Sequence, residues 1–345
     1  MAVRDAPGVL DPFDPLDVAA PAVEVVGLRR AYGDRAVLDG LSLRVRPGTV
    51  YALLGPDGAG KTTTVEILTT LAPRDGGSVR VAGHDPAVNP QGVRRAIGLT
   101  GQFSAVDGVL TGRENLRLIA DLHHMGSRAA ALVAGLLARF DLADVADRKA
   151  LTWSCDERRR LDLAMTLIGQ PQIVVLDEPT TGLDPHSRQA VWDAVRELAA
   201  GGVTVLFTTR YLAEAERLAH RVGVLDHGTL VAEGTPDELK RLVPGGRVRL
   251  RLRDRGALDA AAAVVTAEMI ATRIVEAVVR DDGSLTLQVP TDGSVRSLRS
   301  LLDRLHAARV AVAGVTVHEP DLDDVFFVLT GRRTAIHPTS KGEPS

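Results

Sequence analysis

The sequence predicts an α/β fold: a parallel sheet flanked by helices, with a β-rich part before it, an inserted helical subdomain, and a small α+β domain after it. Two stretches carry this prediction. The glycine-rich loop 55–63 follows the apolar run 50–54 and precedes apolar residues at helical spacing. A second apolar run, 173–176, ends in the carboxylates of Asp177 and Glu178. Continuous apolar runs of this kind are typical of parallel strands buried on both faces.

The loop 55–63 has the order strand, glycine-rich loop, helix that a phosphate-binding P-loop requires. Its glycines let backbone N–H groups converge on phosphate oxygens, and the helix N-terminus adds the positive end of its dipole. Lys61 is expected to contact the β- and γ-phosphates, and the Thr62 hydroxyl is expected to ligate Mg²⁺. The predicted nucleotide-binding residues of the loop are Gly55, Pro56, Asp57, Gly58, Ala59, Gly60, Lys61, Thr62 and Thr63.

The acidic pair that closes the second apolar run completes this pattern. In a P-loop ATPase the carboxylate at this strand end holds Mg²⁺, so Asp177 is the candidate ligand. Glu178 would then be placed to orient or deprotonate the attacking water. An acidic pair on an ordinary surface would not be expected to follow a fully apolar strand. The two stretches together predict a protein that binds ATP with Mg²⁺.

Composition restricts the partners of this protein. The 345 residues are enough for more than one domain, and the net charge of −3 gives no general basic field, so we expect no nucleic-acid partner. The single cysteine, Cys155, excludes an internal disulfide bond. The sequence has no run of about 18 or more apolar residues, and its N-terminus lacks the pattern of a secretory signal. Any membrane role should therefore come through a partner.

The first half of the chain is expected to begin with a disordered extension, 1–22, because this segment is rich in proline and aspartate. Tyr32 is expected in a turn, where its ring could stack on an adenine, although a single tyrosine more often only packs. From about 104 to 170, leucine and alanine recur at three- and four-residue spacing, which predicts the helical subdomain. The strands predicted before that subdomain are 23–26, 37–45, 50–54, 78–82 and 97–102.

The second half alternates helices and strands up to the end of a domain expected at 23–243. Its predicted elements are the strands 173–176, 203–209 and 222–226 and the helices 186–200 and 212–220. A second domain is expected at 247–330, with strands near 247–253, 274–280, 285–289 and 310–317, an alanine-rich helix, and a helix at 294–308. It carries no catalytic constellation, and we expect a role in dimer contact or regulation. Residues 331–345 are expected to be a tail.

Over roughly residues 23–240 these motifs resemble the nucleotide-binding domain of an ABC transporter. They are the P-loop 55–63, Gln102 at the Q-loop position, the strand end 173–178 and the D-loop 182–184. Four shorter stretches resemble the daunorubicin/doxorubicin-resistance type of ATP-binding subunit: 100–103, 110–116, 322–326 and 329–331.

This resemblance implies a P-loop NTPase of ABC type, a cytosolic ATPase that dimerises head to tail with itself or with a homologous subunit. It also implies a separate transmembrane permease that exports drugs or other hydrophobic compounds, and so a place at the cytoplasmic face of the membrane. It implies catalytic roles for Glu178, Arg210 and Gln102, contacts to Mg²⁺ from Thr62, Gln102 and Asp177, and nucleotide contacts from Tyr32 and, across the dimer, from Ser154.

The signature motif departs from the family pattern. It is normally Ser-Gly-Gly-x, whereas Ser154 is followed here by Cys155, Asp156 and Glu157. Ser154 and Glu157 have the spacing of a capping box for their own helix, and Asp156 adds charge to the first turn. The helix end that should contact phosphate therefore carries two carboxylates, which predicts slow hydrolysis. The alternative is that the loop shifts and turns both carboxylates toward solvent.

Two further departures concern the charge around the nucleotide. Asp57 stands where the family usually has asparagine, and Arg210 stands at the switch position, where many members have histidine and this subfamily often has glutamine. Arginine cannot relay a proton, but it can stabilise phosphate charge. The sequence leaves open whether Arg210 contacts phosphate, Asp57 or Asp156.

The departures keep a second function open, a catalytically weak regulatory ATP-binding subunit or one half of a heterodimer. A soluble ABC ATPase of DNA repair or translation ranks last, because the sequence shows neither a long coiled coil nor a second ATPase domain.

Overall fold

The computed structural model describes residues 20–101, 105–242, 246–272, 278–291 and 294–318, together with positions 322, 325, 326 and 329. It divides into one unit that comprises the described residues up to Asp237 and a second unit within Glu238–Gly331. The expected domain bounds, 23–243 and 247–330, remain predictions. The tail 331–345 and most of the extension 1–22 lie outside the described residues.

The first unit begins with a β-rich part. Its elements are β1 (Val23–Tyr32), β2 (Arg35–Val45), β3 (Val50–Leu54), α1 (Lys61–Leu68), β4 (Gly76–Val81), α2 (Pro90–Ala96) and β5 (Ile97–Thr100). Strands β2, β1 and β4 form an antiparallel sheet in that order. Alternation buries Val23 and Val25 in the core, as the sequence pattern predicts. The sequence predicted Tyr32 in a turn. Instead, Tyr32 lies at the end of β1, where it still pairs with Arg35 of β2.

The inserted helices and the second half of this unit follow. Their elements are α3 (Gly112–Leu122), α4 (Ala129–Arg139), α5 (Cys155–Thr166), β6 (Ile173–Asp177), α6 (Pro185–Ala200), β7 (Thr204–Thr209), α7 (Leu212–Leu218), β8 (Arg221–Asp226), β9 (Thr229–Gly234) and α8 (Pro236–Lys240). Helices α3, α4 and α5 lie where the leucine and alanine spacing predicts helices. Helix α3 begins with a capping box formed by Thr111 and Glu114, which satisfies backbone donors at its start.

The central sheet has the order β5-β6-β7-β3-β8-β9, and all its neighbouring pairs are parallel except β8 and β9. Every residue of β3, β6 and β7 is buried, which confirms the interpretation of their apolar runs as central strands. Because β7 lies between β3 and β6, the P-loop after β3 and the carboxylates after β6 come to the same edge of the sheet. Ligands of open α/β sheets bind at this carboxyl edge.

The second unit has the order β10 (Gly246–Leu252), α9 (Arg255–Thr272), β11 (Val279–Asp281), β12 (Thr286–Thr291), α10 (Val295–Ala307) and β13 (Val312–His318). Its antiparallel sheet has the order β11-β12-β10-β13, which is the βαββαβ arrangement of ferredoxin-like domains. Leu250 and Leu287 on the sheet pack in one core with Leu258 of α9 and Leu301 of α10. Among the described residues, no helix is both long and apolar enough to cross a membrane.

Candidate nucleotide-binding site

A cavity of about 500 Å³ lies at the carboxyl edge of the central sheet. It is bounded by the loop between β3 and α1, the residues after β6 and β7, and the hairpin of β1 and β2. Its lining residues are Tyr32, Arg35, Val37, Asp57, Gly58, Gly60, Lys61, Thr62, Thr63, Glu178, Thr181 and Arg210. Most of the site residues that the sequence predicts therefore line one cavity.

The loop before α1 needs glycine at two positions for different reasons. Gly60 has φ +107°, and a Cβ there would lie 2.6 Å from Cδ2 of Leu38. A Cβ on Gly55 would lie 2.4 Å from the carbonyl oxygen of Leu225. Helix α1 has no side-chain cap and no acidic residue in its first turn, so its N-terminal N–H groups are left for an anion.

Lys61 is buried at the start of α1, with 4% of its side chain exposed. Its Nζ donates to the carbonyl oxygens of Gly55 at 2.8 Å and Pro56 at 3.0 Å. It also lies 3.2 Å from Oε1 of Glu178. An ammonium group has three N–H donors, so these contacts use the whole donor capacity of Lys61. The backbone contacts fix the amine at the cavity, and the carboxylate supplies its counter-charge.

Asp177 ends β6 with 3% exposure, directly before Glu178, and is not among the residues that line the cavity. Its Oδ1 accepts a hydrogen bond from the Thr208 hydroxyl on β7 at 2.5 Å. No described residue donates to its Oδ2. The same Thr208 oxygen accepts the backbone N–H of Glu178 at 2.9 Å. Thr208 therefore holds both consecutive acidic residues in place, and it was not singled out from the sequence.

Glu178 reaches the cavity from an unusual backbone conformation. Its φ is +47°, in the left-handed region that residues other than glycine rarely adopt. Its carboxylate contacts the Lys61 amine through Oε1 and accepts the Thr181 hydroxyl through Oε2 at 3.1 Å. Such conformations cluster at functional sites, where the surrounding structure fixes them. The carboxylate therefore has a defined direction.

Arg210, just after β7, pairs with Asp57 of the loop. Its Nη1 lies 3.0 Å from Oδ2 of Asp57, and its Nη2 donates to the Tyr211 hydroxyl at 3.0 Å. The hydrogen bond to Tyr211, followed by the charges of Asp57 and Glu178, raises the pKa of Arg210 above its ordinary value. Of the partners that the sequence left open, the structure shows Asp57, whereas Asp156 pairs with Arg160 at 3.0 Å.

Tyr32 lies at the rim of the cavity with 48% exposure. The guanidinium of Arg30 lies over its ring, 4.6 Å from the centroid. The tyrosine is therefore neither buried in the core nor free of contacts. Its place at the cavity is compatible with stacking on a planar base.

The signature residues Ser154 and Cys155 do not line this cavity. Ser154 caps α5 by accepting the N–H of Glu157 at 3.1 Å, and the Glu157 carboxylate accepts the N–H of Ser154 at 2.7 Å. The predicted capping box is confirmed. Cys155 is exposed and lines a second cavity of about 260 Å³ that also touches Glu178. The structure therefore does not bring Ser154 together with the P-loop of the same chain.

The remaining predicted residues fall into two groups. Gly55, Pro56 and Ala59 do not line the cavity, but the carbonyls of the first two hold Lys61. Gln102 lies outside the described residues. Arg35, Val37 and Thr181 line the cavity and were not predicted, although Thr181 lies only three positions after Glu178.

Comparison with known proteins shows the family of this chain. A family model described as ABC transporter matches residues 38–181. The chain is 46% identical over 315 residues to the daunorubicin resistance ATP-binding protein DrrA3 of Streptomyces coeruleorubidus, covering 91% of this chain and 97% of the relative. It is 43% identical over 311 residues to the daunorubicin/doxorubicin resistance ATP-binding protein DrrA of Streptomyces peucetius, covering 90% of this chain and 92% of the relative.

A solved structure supports the same assignment. The ATP-binding subunit of an ABC transporter superposes with a TM-score of 0.58 at 28% identity, over 64% of this chain and 92% of that one. The P-loop cavity, the acidic pair after β6 and the extent of these similarities lead to one conclusion: the chain belongs to the family of ABC-transporter ATP-binding proteins, in its daunorubicin/doxorubicin-resistance branch.

Proposed function

We propose that this chain is the ATP-binding and ATP-hydrolysing subunit that powers a separate membrane permease exporting drugs or other hydrophobic compounds. The observation that carries this proposal is the convergence of Lys61, Thr62 and Glu178 on one cavity, with the buried Asp177 directly before Glu178 at the end of β6. Relatives named for daunorubicin and doxorubicin resistance support drugs of that class as the exported compounds. The chain would work at the cytoplasmic face of the membrane, where the permease would hold it.

In this proposal the phosphates of ATP displace Glu178 from Lys61. Nζ of Lys61 already uses its three donors, so a phosphate oxygen can be bound only in exchange for one of them. The carbonyl contacts come from the loop itself, whereas the carboxylate is the like-charged competitor of phosphate. Binding would thus neutralise the nucleotide and release Glu178 to orient or deprotonate water.

The residues present also fit a bound Mg²⁺. Mg²⁺ prefers oxygen ligands and is usually held by one or two protein groups together with substrate phosphates. Thr62 lines the cavity, and Oδ2 of Asp177 accepts no hydrogen bond from a described residue. These two side chains would hold the ion, and we include Gln102 as a third ligand from the family resemblance. The bound ion supplies positive charge to the transferring phosphate.

Hydrolysis in this proposal takes place in a head-to-tail dimer. The Ser154 helix end lies outside the nucleotide cavity of its own chain, so it is available to a second subunit. That second subunit is either another copy of this chain or a homologous ATPase. Stabilisation of the γ-phosphate would then come from Arg210 on one side and from the opposite signature helix on the other.

Co-purification from native membranes tests the proposed function. The tagged Glu178→Gln variant, with MgATP present, should recover a protein with several membrane-spanning helices. A Lys61→Ala variant treated in the same way should recover less of it, because assembly should respond to bound nucleotide. Recovery of only soluble proteins from solubilised membranes would contradict the proposal.

A second candidate function, a catalytically weak subunit or one half of a heterodimer, is favoured by the signature helix. The capping box takes the backbone N–H groups of Ser154 and Glu157, and Asp156 places a further carboxylate in the first turn. Arg160 pairs with Asp156, which reduces the repulsion of phosphate, but the Glu157 carboxylate remains at the helix end that would face the phosphate.

Replacing Cys155 and Asp156 together by glycine should therefore raise ATP turnover by about tenfold or more, since one phosphate donor commonly contributes a few kcal/mol to catalysis. The change restores close backbone approach and removes one carboxylate from the helix end. Steady-state ATPase assays of the variant and the wild type measure it. The matched control, an Asp193→Gly change on α6 outside the signature segment, should not raise ATP turnover. Equal turnover of the double variant and the wild type would show that the signature change is compensated or irrelevant.

Replacing Asp57 by asparagine should strengthen ATP binding by roughly fivefold, the scale of an exposed ion pair. The change removes a negative charge at the cavity and frees Arg210 for phosphate. Calorimetric titration with ATP gives the affinity. In the Asp57→Asn/Arg210→Ala double variant the gain should shrink, because the freed guanidinium is missing. A gain that persists there would assign the effect to the charge of Asp57 alone.

A further inference from the structure

A buried ion pair on α5 lies outside the nucleotide cavity. Nη1 of Arg159 lies 3.2 Å from Oδ2 of Asp162, with 9% and 3% of the two side chains exposed. Burial lowers the pKa of Arg159 and raises the pKa of Asp162, so each charge depends on the other. The pair between Arg196 and Asp193 on α6 has the same spacing, but 41% and 55% of its side chains are exposed. A pair as buried as that on α5 is costly unless its remaining polar groups are also satisfied.

Both partners use a further polar group on another segment. Nε of Arg159 donates to the carbonyl oxygen of Pro179 at 2.9 Å. Oδ1 of Asp162 accepts the backbone N–H of Ala105 at 3.1 Å. Pro179 directly follows Glu178, and Ala105 marks the start of the inserted helical part. The ion pair therefore joins three segments: helix α5, the end of β6 and the entry into the helices.

The contact to Pro179 bears on the direction of Glu178. The N–H of Glu178 donates to the Thr208 hydroxyl, and the carbonyl oxygen of the next residue, Pro179, accepts from Arg159. The backbone is thus held on both sides of a residue whose φ is +47°. The rate at which a carboxylate activates a water molecule depends on its exact position, because a displacement of about 1 Å can lower the rate by about 10²-fold.

We propose that Arg159 is a positioning residue for ATP hydrolysis. Through the Pro179 carbonyl it holds the backbone that aims Glu178, and through Asp162 it ties that backbone to the entry of the helical part. Any shift of α5 relative to β6 is then passed to the carboxylate, so the helical part sets the rate of hydrolysis without contacting the nucleotide. This inference rests on the proposed function, in which Glu178 acts on water.

Two variants test it. Arg159→Lys keeps the charge but replaces the planar fork, which bonds Pro179 and Asp162 at once, with a single amine. Arg159→Met/Asp162→Leu removes both charges and fills the site with apolar side chains, a change that often preserves stability. Both should lower kcat by about tenfold or more while the ATP dissociation constant stays within about twofold. The matched control, Arg196→Met/Asp193→Leu, should leave kcat unchanged.

A purely structural role predicts a different pattern. In that case kcat would follow the melting temperature, so a double variant that melts like the wild type would also hydrolyse like it, and the proposal would be overturned. The expected result is a normal melting temperature with low kcat. If the double variant does not fold, Arg159→Lys decides the question by the same comparison. In a Glu178→Gln background, Arg159→Lys should cause no further loss of rate, and an additive loss would also overturn the proposal.

The proposed function has its own control in this experiment. If wild-type protein failed to bind MgATP, or if Glu178→Gln hydrolysed ATP as fast as the wild type, the proposed function would fail first and the inference with it. Normal binding and a rate that depends on Glu178, together with an unaffected Arg159→Lys variant, would overturn the inference alone.

Discussion

Replacing Lys61 with alanine should weaken MgATP binding by about 100-fold or more. The amine is the buried cation at the cavity, and a unit charge about 4 Å from a phosphate charge is worth about 4 kcal/mol at an effective dielectric near 20. The variant also leaves the Glu178 carboxylate without its cation, so repulsion of phosphate adds to the loss. Isothermal titration calorimetry with ATP, in the presence of Mg²⁺, measures the change.

Lys149→Ala is the matched control for this experiment, because Lys149 is an exposed lysine outside the cavity. Its affinity for ATP should equal that of the wild type. Equal affinities of Lys61→Ala and the wild type would mean that nucleotide binds elsewhere, and the assignment of the cavity would be wrong.

Replacing Glu178 with glutamine should lower the rate of hydrolysis by about 10²-fold or more, the usual contribution of a general base. The amide oxygen can still accept from Lys61 in the place of Oε1, and the amide NH2 group can donate to the Thr181 hydroxyl in the place of Oε2, so the fold should persist. ATP binding should stay the same or tighten, since one negative charge leaves the cavity. Single-turnover hydrolysis and nucleotide titration of the same preparation separate the two effects.

The variant with glycine at signature positions 155 and 156 provides a second background in which to test Glu178. In the Cys155→Gly/Asp156→Gly background, Glu178→Gln should abolish the gain in turnover and leave an ATP-bound dimer that gel filtration detects. Glu197→Gln, on the exposed part of α6, is the control and should hydrolyse ATP at the rate of its parent. Undiminished turnover in the Glu178→Gln variant would assign the activation of water to another group.

The sequence predicts the central part of this fold well because its signals are local. The apolar runs of β3, β6 and β7 are long enough to be recognised without their neighbours, and every one of their residues is buried. The capping box of α5 depends on residues three apart, and the structure contains it. Weak local patterns were missed. Helix α2 buries two residues, Val93 and Ala96, and β9 follows β8 after a short turn without strict alternation.

The candidate site contains contacts that no local sequence pattern predicts. Asp57 and Arg210 are 153 positions apart, and only the parallel pairing of β3 with β7 brings their segments together. Thr208 holds Asp177 and the backbone of Glu178 because β7 lies beside β6, an order that the sequence does not state. The positions of the site residues could therefore be predicted as motifs, whereas their partners could not. Their catalytic roles remain predictions.

The left-handed backbone of Glu178 has a consequence for directed evolution of this protein. Residues other than glycine and asparagine lose about 1 kcal/mol or more in this conformation. Glycine at 178 would relieve the strain, but it would also remove the carboxylate that supplies the counter-charge of the buried Lys61 amine. The backbone strain and the ion pair with Lys61 therefore act in opposite directions on the stability contributed by one residue. A library screened for thermal tolerance at position 178 would show which of the two is larger.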